Sequence, residues 1–203
     1  MKLPLAIVAL TFSGAAFAQN AEFWFNAGES IYENRSLGAA DPVLGSPNDF
    51  QLGQSGFRFG FRGDLDPGDH LGYELSYAYS NMTLNYLGAS QGGGNVHTVA
   101  GDVLWHFIKR DSRVRPFVMG GIGFSTFVPP GGSLNSGGNS SEFLVNYGLG
   151  VKVKAFSKFG RDWGFRADLD QFQYFGKPFG GDFFRQSGLL MTTSATVGFG
   201  ILF

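Results

Sequence analysis

The chain has 203 residues, a formal net charge of −1, 32 Gly, 23 Phe and no Cys, with 16% aromatic against 15% charged residues. Near-neutral charge offers no basic surface for nucleic acid, and the missing cysteines exclude a disulfide framework and a lipid-attachment thiol. Beyond the N-terminus no run of about 18 apolar residues remains for a spanning helix, which excludes an inner-membrane helical protein.

The N-terminus carries Lys2, an apolar run from Leu3 to Leu10 and the small-residue site Ala16-Phe17-Ala18. These features predict a secretory signal peptide over residues 1–18, leaving a single domain over 19–203. Period-two alternation then predicts eight strands. The first, about Ala21 to Tyr32, sets Phe23, Phe25 and Ala27 against Glu22, Asn26 and Gly28. Its phase would turn Glu29 toward lipid, at a cost of up to about 2–4 kcal/mol. A bulge at Gly28 is expected to swap the phase, turning Glu29 inward and Tyr32 outward.

The second strand, near Leu52 to Asp64, alternates Phe57, Phe59 and Phe61 with Arg58, Gly60 and Arg62, and Asp64-Leu-Asp-Pro-Gly-Asp69 follows as a solvated turn. The third sets Leu71, Tyr73, Leu75, Tyr77 and Tyr79 opposite Glu74, Ser76, Ala78 and Ser80. In the fourth, about Val96 to Ile108, Val99, Val103, Trp105 and Phe107 oppose Thr98, Ala100, Asp102 and His106. The fifth, Pro116 to Phe127, has apolar or small residues on both faces, so its orientation stays open. The sixth sets Phe143, Val145, Tyr147, Leu149, Val151 and Val153 against Asn146, Gly148, Gly150, Lys152 and Lys154. The seventh, Trp163 to Phe172, sets Phe165, Ala167 and Leu169 against Arg166, Asp168 and Asp170. The eighth runs through Met191, Thr193, Ala195, Val197, Phe199, Ile201 and Phe203, with Thr192, Ser194, Thr196, Gly198 and Gly200 on its other face.

Connection lengths alternate. Long ones fall at 33–51, 83–95, 128–141 and 173–187, and shorter ones at 65–70, 109–115 and 155–162. Short turns on one side and long loops on the other are the pattern of an outer-membrane barrel, and the interleaving predicts both termini in the periplasm. A soluble sandwich or lipocalin-like barrel would put its rings inside and its charges outside. Here the ring-rich face opposes a charged or tiny one, which suits an eight-stranded barrel with a crowded polar interior.

The predicted inward ionisable set is Arg58, Arg62, Lys152, Lys154 and Arg166 against Asp64, Glu74, Asp102, Asp168 and Asp170, with His106 nearby. Enclosed charges need partners, so the set reads as a salt-bridge network closing the lumen, with an ion path as the alternative. Its weight lies toward the short turns, with Glu74 and Asp102 higher up. Asp102 and His106 share a face and could form an acid–imidazole pair, while His97 has no obvious carboxylate beside it; no nucleophile accompanies either, so no catalytic residue is assigned. Neither Asp168-Leu-Asp170 nor the Asp64–Asp69 segment has the spacing of a calcium loop, and no metal or cofactor is implied. Trp24, Trp105, Trp163, Tyr32, Tyr79 and Tyr174 are expected as interfacial girdle anchors.

With its signal peptide, eight alternating segments, the strand from Arg115 to Phe124 and the terminal Phe203, the chain resembles the small eight-stranded outer-membrane barrels. That group holds the transmembrane domain of outer membrane protein A and the opacity-type surface proteins. The resemblance implies an all-β, eight-stranded antiparallel up-and-down transmembrane barrel in a Gram-negative outer membrane. It implies contact with outer-membrane lipid, and an assembly signal in Phe199, Ile201 and Phe203 read by the barrel-assembly machinery. No segment follows Phe203, so the peptidoglycan-anchoring role of some relatives is not expected. The expected function is structural or surface-interacting (adhesion-like), through outer loops that could meet an extracellular ligand. The alternatives are a narrow pore for small solutes and an outer-membrane lipid- or peptide-modifying enzyme.

Overall fold

A computed structural model describes residues 20–38, 43–46, 49–128, 139–175 and 189–203. The expected signal peptide lies outside them, as do most of the connections over 128–141 and 173–187. Ten strands occur in chain order: β1 (Ala21–Glu33), β2 (Ser36–Gly38), β3 (Phe50–Leu52), β4 (Ser55–Leu65), β5 (Leu71–Tyr86), β6 (Ala89–His106), β7 (Val114–Val128), β8 (Ser140–Lys158), β9 (Arg161–Phe175) and β10 (Leu190–Leu202). Eight of them close into an antiparallel barrel, because β5 pairs with β6 and β1 pairs with β10. The short β2 and β3 extend the wall beyond β4, with β3 paired to β5.

The stagger follows from the pairing. One hydrogen-bonded row runs from Glu22 through Asp64, Glu74, Asp102, Gly121, Asn146, Phe172 and Thr192 to Tyr32, returning to β1 ten residues higher (32 minus 22). Such a shear tilts the strands by roughly 35–45° and leaves an interior just wide enough for side chains to fill. Every row therefore climbs toward the long connections as it circles the wall. We call that end the loop end and the opposite one the turn end.

Alternation decides which side chains enter. On β4, Arg58, Arg62 and Asp64 are buried while Phe57 and Phe61 are exposed; on β10, Thr192, Ser194 and Thr196 are buried while Val197 and Phe199 are exposed. The outer face is thus a belt of rings, including Phe23 stacked on Phe61 and Trp163 stacked on Phe199, its ring centroid 5.3 Å away. At Gly200 the wall admits no larger residue. A Cβ there would lie 2.4 Å from the Trp24 ring and 2.5 Å from the Phe23 carbonyl oxygen.

Several expectations are corrected. β1 is continuous in register with both neighbours, with no bulge at Gly28, so Glu29 points outward and Tyr32 inward. Trp24, Tyr32 and Tyr174 are buried in the lumen and are not girdle anchors, because their parity puts them on the inner face. The segment 83–95 is no loop: β5 and β6 continue to a two-residue turn at Leu87-Gly88, where φ is 48° and 81°. Positive φ at both positions is the hairpin turn whose twist matches its strands. Phe159-Gly160, at 56° and 71°, makes the same turn at the other end, shortening the expected connection 155–162. Strand β7, left unoriented by its sequence, turns Phe117, Met119, Ser125 and Phe127 inward and Val118, Ile122 and Phe124 outward.

Candidate functional site in the barrel lumen

The lumen has two halves of opposite chemistry. At the turn end, the rising row places Glu22, Asp64, Glu74 and Asp102 side by side on β1, β4, β5 and β6. On the facing wall a second row sets Arg115, Lys152 and Arg166 side by side on β7, β8 and β9. Like charges directly across a strand pair destabilise a sheet. Across the lumen the basic row holds Glu22, Asp64 and Glu74 of the acidic one.

The contacts interlock. Lys152 Nζ lies 2.6 Å from both Glu22 and Asp64, and the Arg166 guanidinium reaches Asp64 at 3.0 Å, Glu74 at 2.5 Å and Asp168 at 2.7 Å. Arg62 ties Glu74, at 2.7 Å, to Asp170. Nearest the turns, Arg115 donates to Asp66 at 2.7 Å and lies 3.5 Å from Glu22. Neutral donors complete the layer: Trp24 Nε1 donates to Glu22 and Asn26 Nδ2 to Asp168, each at 3.1 Å. The Phe117 ring lies beneath two of the cations, 4.8 Å from the Arg166 guanidinium and 5.7 Å from Lys152 Nζ. A charge enclosed in this way is costly when alone and tolerable when paired on several sides.

Most of the sequence-predicted set meets here: Arg62, Asp64, Glu74, Lys152, Arg166, Asp168 and Asp170 share one network. Glu74 stands within it rather than above it. Arg58 sits higher, its guanidinium donating to Ser80 at 3.1 Å and lying 4.7 Å over the Phe172 ring. Asp102 takes a hydrogen bond from Asn146 at 2.6 Å, and no cation pairs with it among the described residues. The expected Asp102–His106 pair does not form; His106 is buried with Nε2 4.0 Å from Asp66. Lys154 is half-buried and makes no ion pair among the described residues; it is the last β8 residue before the register shift toward Phe156 at the turn end.

Glu22, Asp66 and Arg115 belong to the network but were not in the predicted set. Asp66, expected in a solvated turn, is fully buried. Parity was the available signal for two of them: Glu22 precedes Asn26 by an even step and Asp66 follows Asp64 by two, whereas Arg115 stands on β7, whose phase its sequence left open. Among the described residues the loop half holds no comparable network. There Tyr32, Phe50, Leu52, Met82, Leu84, Val96, Phe127, Leu144, Phe172, Tyr174 and Leu190 form one buried apolar cluster.

No family model matches the chain. It is 30% identical over 173 residues to outer membrane protein W of Salmonella typhimurium, covering 80% of this chain and 79% of that protein. Outer membrane protein W of Salmonella typhi is 30% identical over 175 residues with the same coverage. Among solved structures, the outer membrane protein OprG from Pseudomonas aeruginosa superposes with a TM-score of 0.55 at 12% identity, covering 92% of this chain and 97% of that one. Neisserial surface protein A superposes with a TM-score of 0.50 at 13% identity over 90% and 97%. Those two likenesses concern the fold, while the identity and coverage of the curated relatives go further. With a closed eight-stranded barrel, a ring-rich outer face and an ionic interior, the chain is an outer-membrane protein that belongs to the outer membrane protein W family.

Proposed function

We propose that the protein is a sealed outer-membrane barrel that acts at its loop end, meeting the cell's surroundings through its long connections, with both chain ends in the periplasm. The observation that carries this reading is the ionic layer at the turn end. Ion pairs from Arg115, Lys152, Arg166 and Arg62 to carboxylates of β1, β4, β5 and β9 cross the lumen in several directions, and the side chains are buried. An interior so filled gives hydrated ions no continuous route. The proposed work is structural or adhesive, and catalysis is not part of it: His106 has Asp66 and Phe117 as neighbours, and no nucleophile stands beside it among the described residues. The outward Phe199 and Ile201, with Phe203 beneath the Arg161 guanidinium at 4.4 Å, are the proposed signal for the assembly machinery.

Planar-bilayer recording tests the seal. The unmodified barrel is expected to give no steady conductance, and a persistent open channel would refute the reading. A narrow path for small solutes is the second reading, favoured by one observation: the apolar cluster lining the loop half suits an apolar solute entering from outside. Uptake of small apolar molecules into proteoliposomes, without ion current, would select it.

A further inference from the structure

The outer wall carries a polar patch inside its belt of rings. On three adjacent strands Tyr147, Gln171 and Thr193 lie in one hydrogen-bonded row, with Gln173 one step nearer the loop end and Glu29 one step below on β1. Tyr147 Oη donates to Gln171 Oε1 at 2.9 Å and accepts from Gln173 Nε2 at 3.0 Å. Thr193 donates to Glu33 at 2.6 Å. That leaves the Gln171 amide nitrogen, the Gln173 carbonyl oxygen and the Glu29 carboxylate without partners among the described residues. Below them a groove of about 410 Å³ runs down the same wall, lined by Val118, Tyr147, Leu149, Leu169, Gln171 and Thr193.

An apolar belt needs only hydrocarbon against it, and hydrocarbon cannot satisfy an amide or a carboxylate. Lipid-exposed carboxylates and amides carry a cost that any partner able to pair with them recovers. We propose that this patch and groove bind one chain of an outer-leaflet glycolipid whose acyl chains are amide-linked and hydroxylated. The apolar part would lie in the groove, with its linkage at Tyr147, Gln171 and Glu29. Donor count favours this occupant over a glycerophospholipid. The Glu29 carboxylate needs an O–H or N–H at depth, which a hydroxylated, amide-linked chain supplies, whereas the ester linkages of a diacyl phospholipid only accept. A carbonyl of the same linkage accepts from the Gln171 amide. Two copies of this chain meeting at the patch would bring two Glu29 side chains together, which disfavours a dimer there. The placement in the outer leaflet rests on the proposed orientation; the binding itself does not.

Native mass spectrometry of the detergent-solubilised full barrel tests it, with lipid A and dioleoyl phosphatidylglycerol as probes. One lipid A per barrel is expected, retained at least about tenfold better than the phospholipid. The Glu29→Leu/Gln171→Leu double variant is expected to lose most of that preference while still migrating as a folded barrel on an unboiled gel, since both changes make the lipid face more apolar. Gln171→Leu alone gives an intermediate loss and serves if the pair fails to fold. Equal retention of the two lipids, an unchanged preference in the variants, or a dimer displacing lipid would each overturn the proposal. Protease access to the loop-end connections in intact cells reports orientation separately, so failure of one reading is distinguishable from failure of the other.

Discussion

The two halves of the lumen fill the same cross-section with opposite means. At the turn end four basic side chains and six carboxylates bridge wall to wall, and at the loop end aliphatic and aromatic side chains pack as they would in a soluble core. Ion pairs are directional and fail when one member is lost. Apolar packing degrades by volume. One barrel therefore has a half that fixes register and a half that tolerates variation, and the comparison can be broken or sharpened by substitution.

The largest effect is expected from Arg166→Leu, which leaves Asp64, Glu74 and Asp168 short of a buried cation. Urea titration of the refolded barrel should show a loss of about 3–5 kcal/mol. In the apolar half Leu144→Ala is expected to cost about 2–4 kcal/mol by the same titration, the range of a core cavity that partly relaxes. If it matched or exceeded Arg166→Leu, the division between the halves would be wrong. On the outer wall, Glu29→Leu should stabilise the barrel in a simple phosphatidylcholine bilayer by about 1–2 kcal/mol, less than the cost of a lipid-facing basic residue. The smallest change is expected for Asp102→Asn. Among the described residues its carboxylate has only the Asn146 amide to lose, so a shift within about 1 kcal/mol in the same measurement would mark it as lying outside the ionic lock.

The architecture was legible because period-two alternation is a local property: Phe57 to Arg62 states its two faces without reference to any other strand. Legibility ended where both faces carry the same chemistry, as on β7, and the loss of that phase concealed Arg115. It also ended where turn composition imitates a loop. Gly92, Gly93 and Gly94 read as a flexible connection, yet they lie opposite Leu84, Thr83 and Met82 in a paired hairpin. Glu29 was misplaced for an energetic reason. A lipid-facing carboxylate looked too costly to accept, so an inward swap was expected, while the continuous register of β1 with β4 and β10 leaves it outside. The apolar cluster of the loop half could not be seen strand by strand, since Tyr32, Phe127, Leu144 and Tyr174 become neighbours only once the wall has closed.

The rising acidic row also has a consequence for the order of assembly. Its first member, Glu22, stands on the first strand, while Lys152, which grips it, is 130 residues further along on β8. An incomplete sheet holds the two ladders as unmatched lines of like charge that repel along their length. Pairing across the lumen becomes available only as β1 meets β10. Arg62 and Glu74, on the adjacent strands β4 and β5, can pair before that, so the closing seam is the step that adds the grip of Arg115 and Lys152 on Glu22 to what the earlier strands already share.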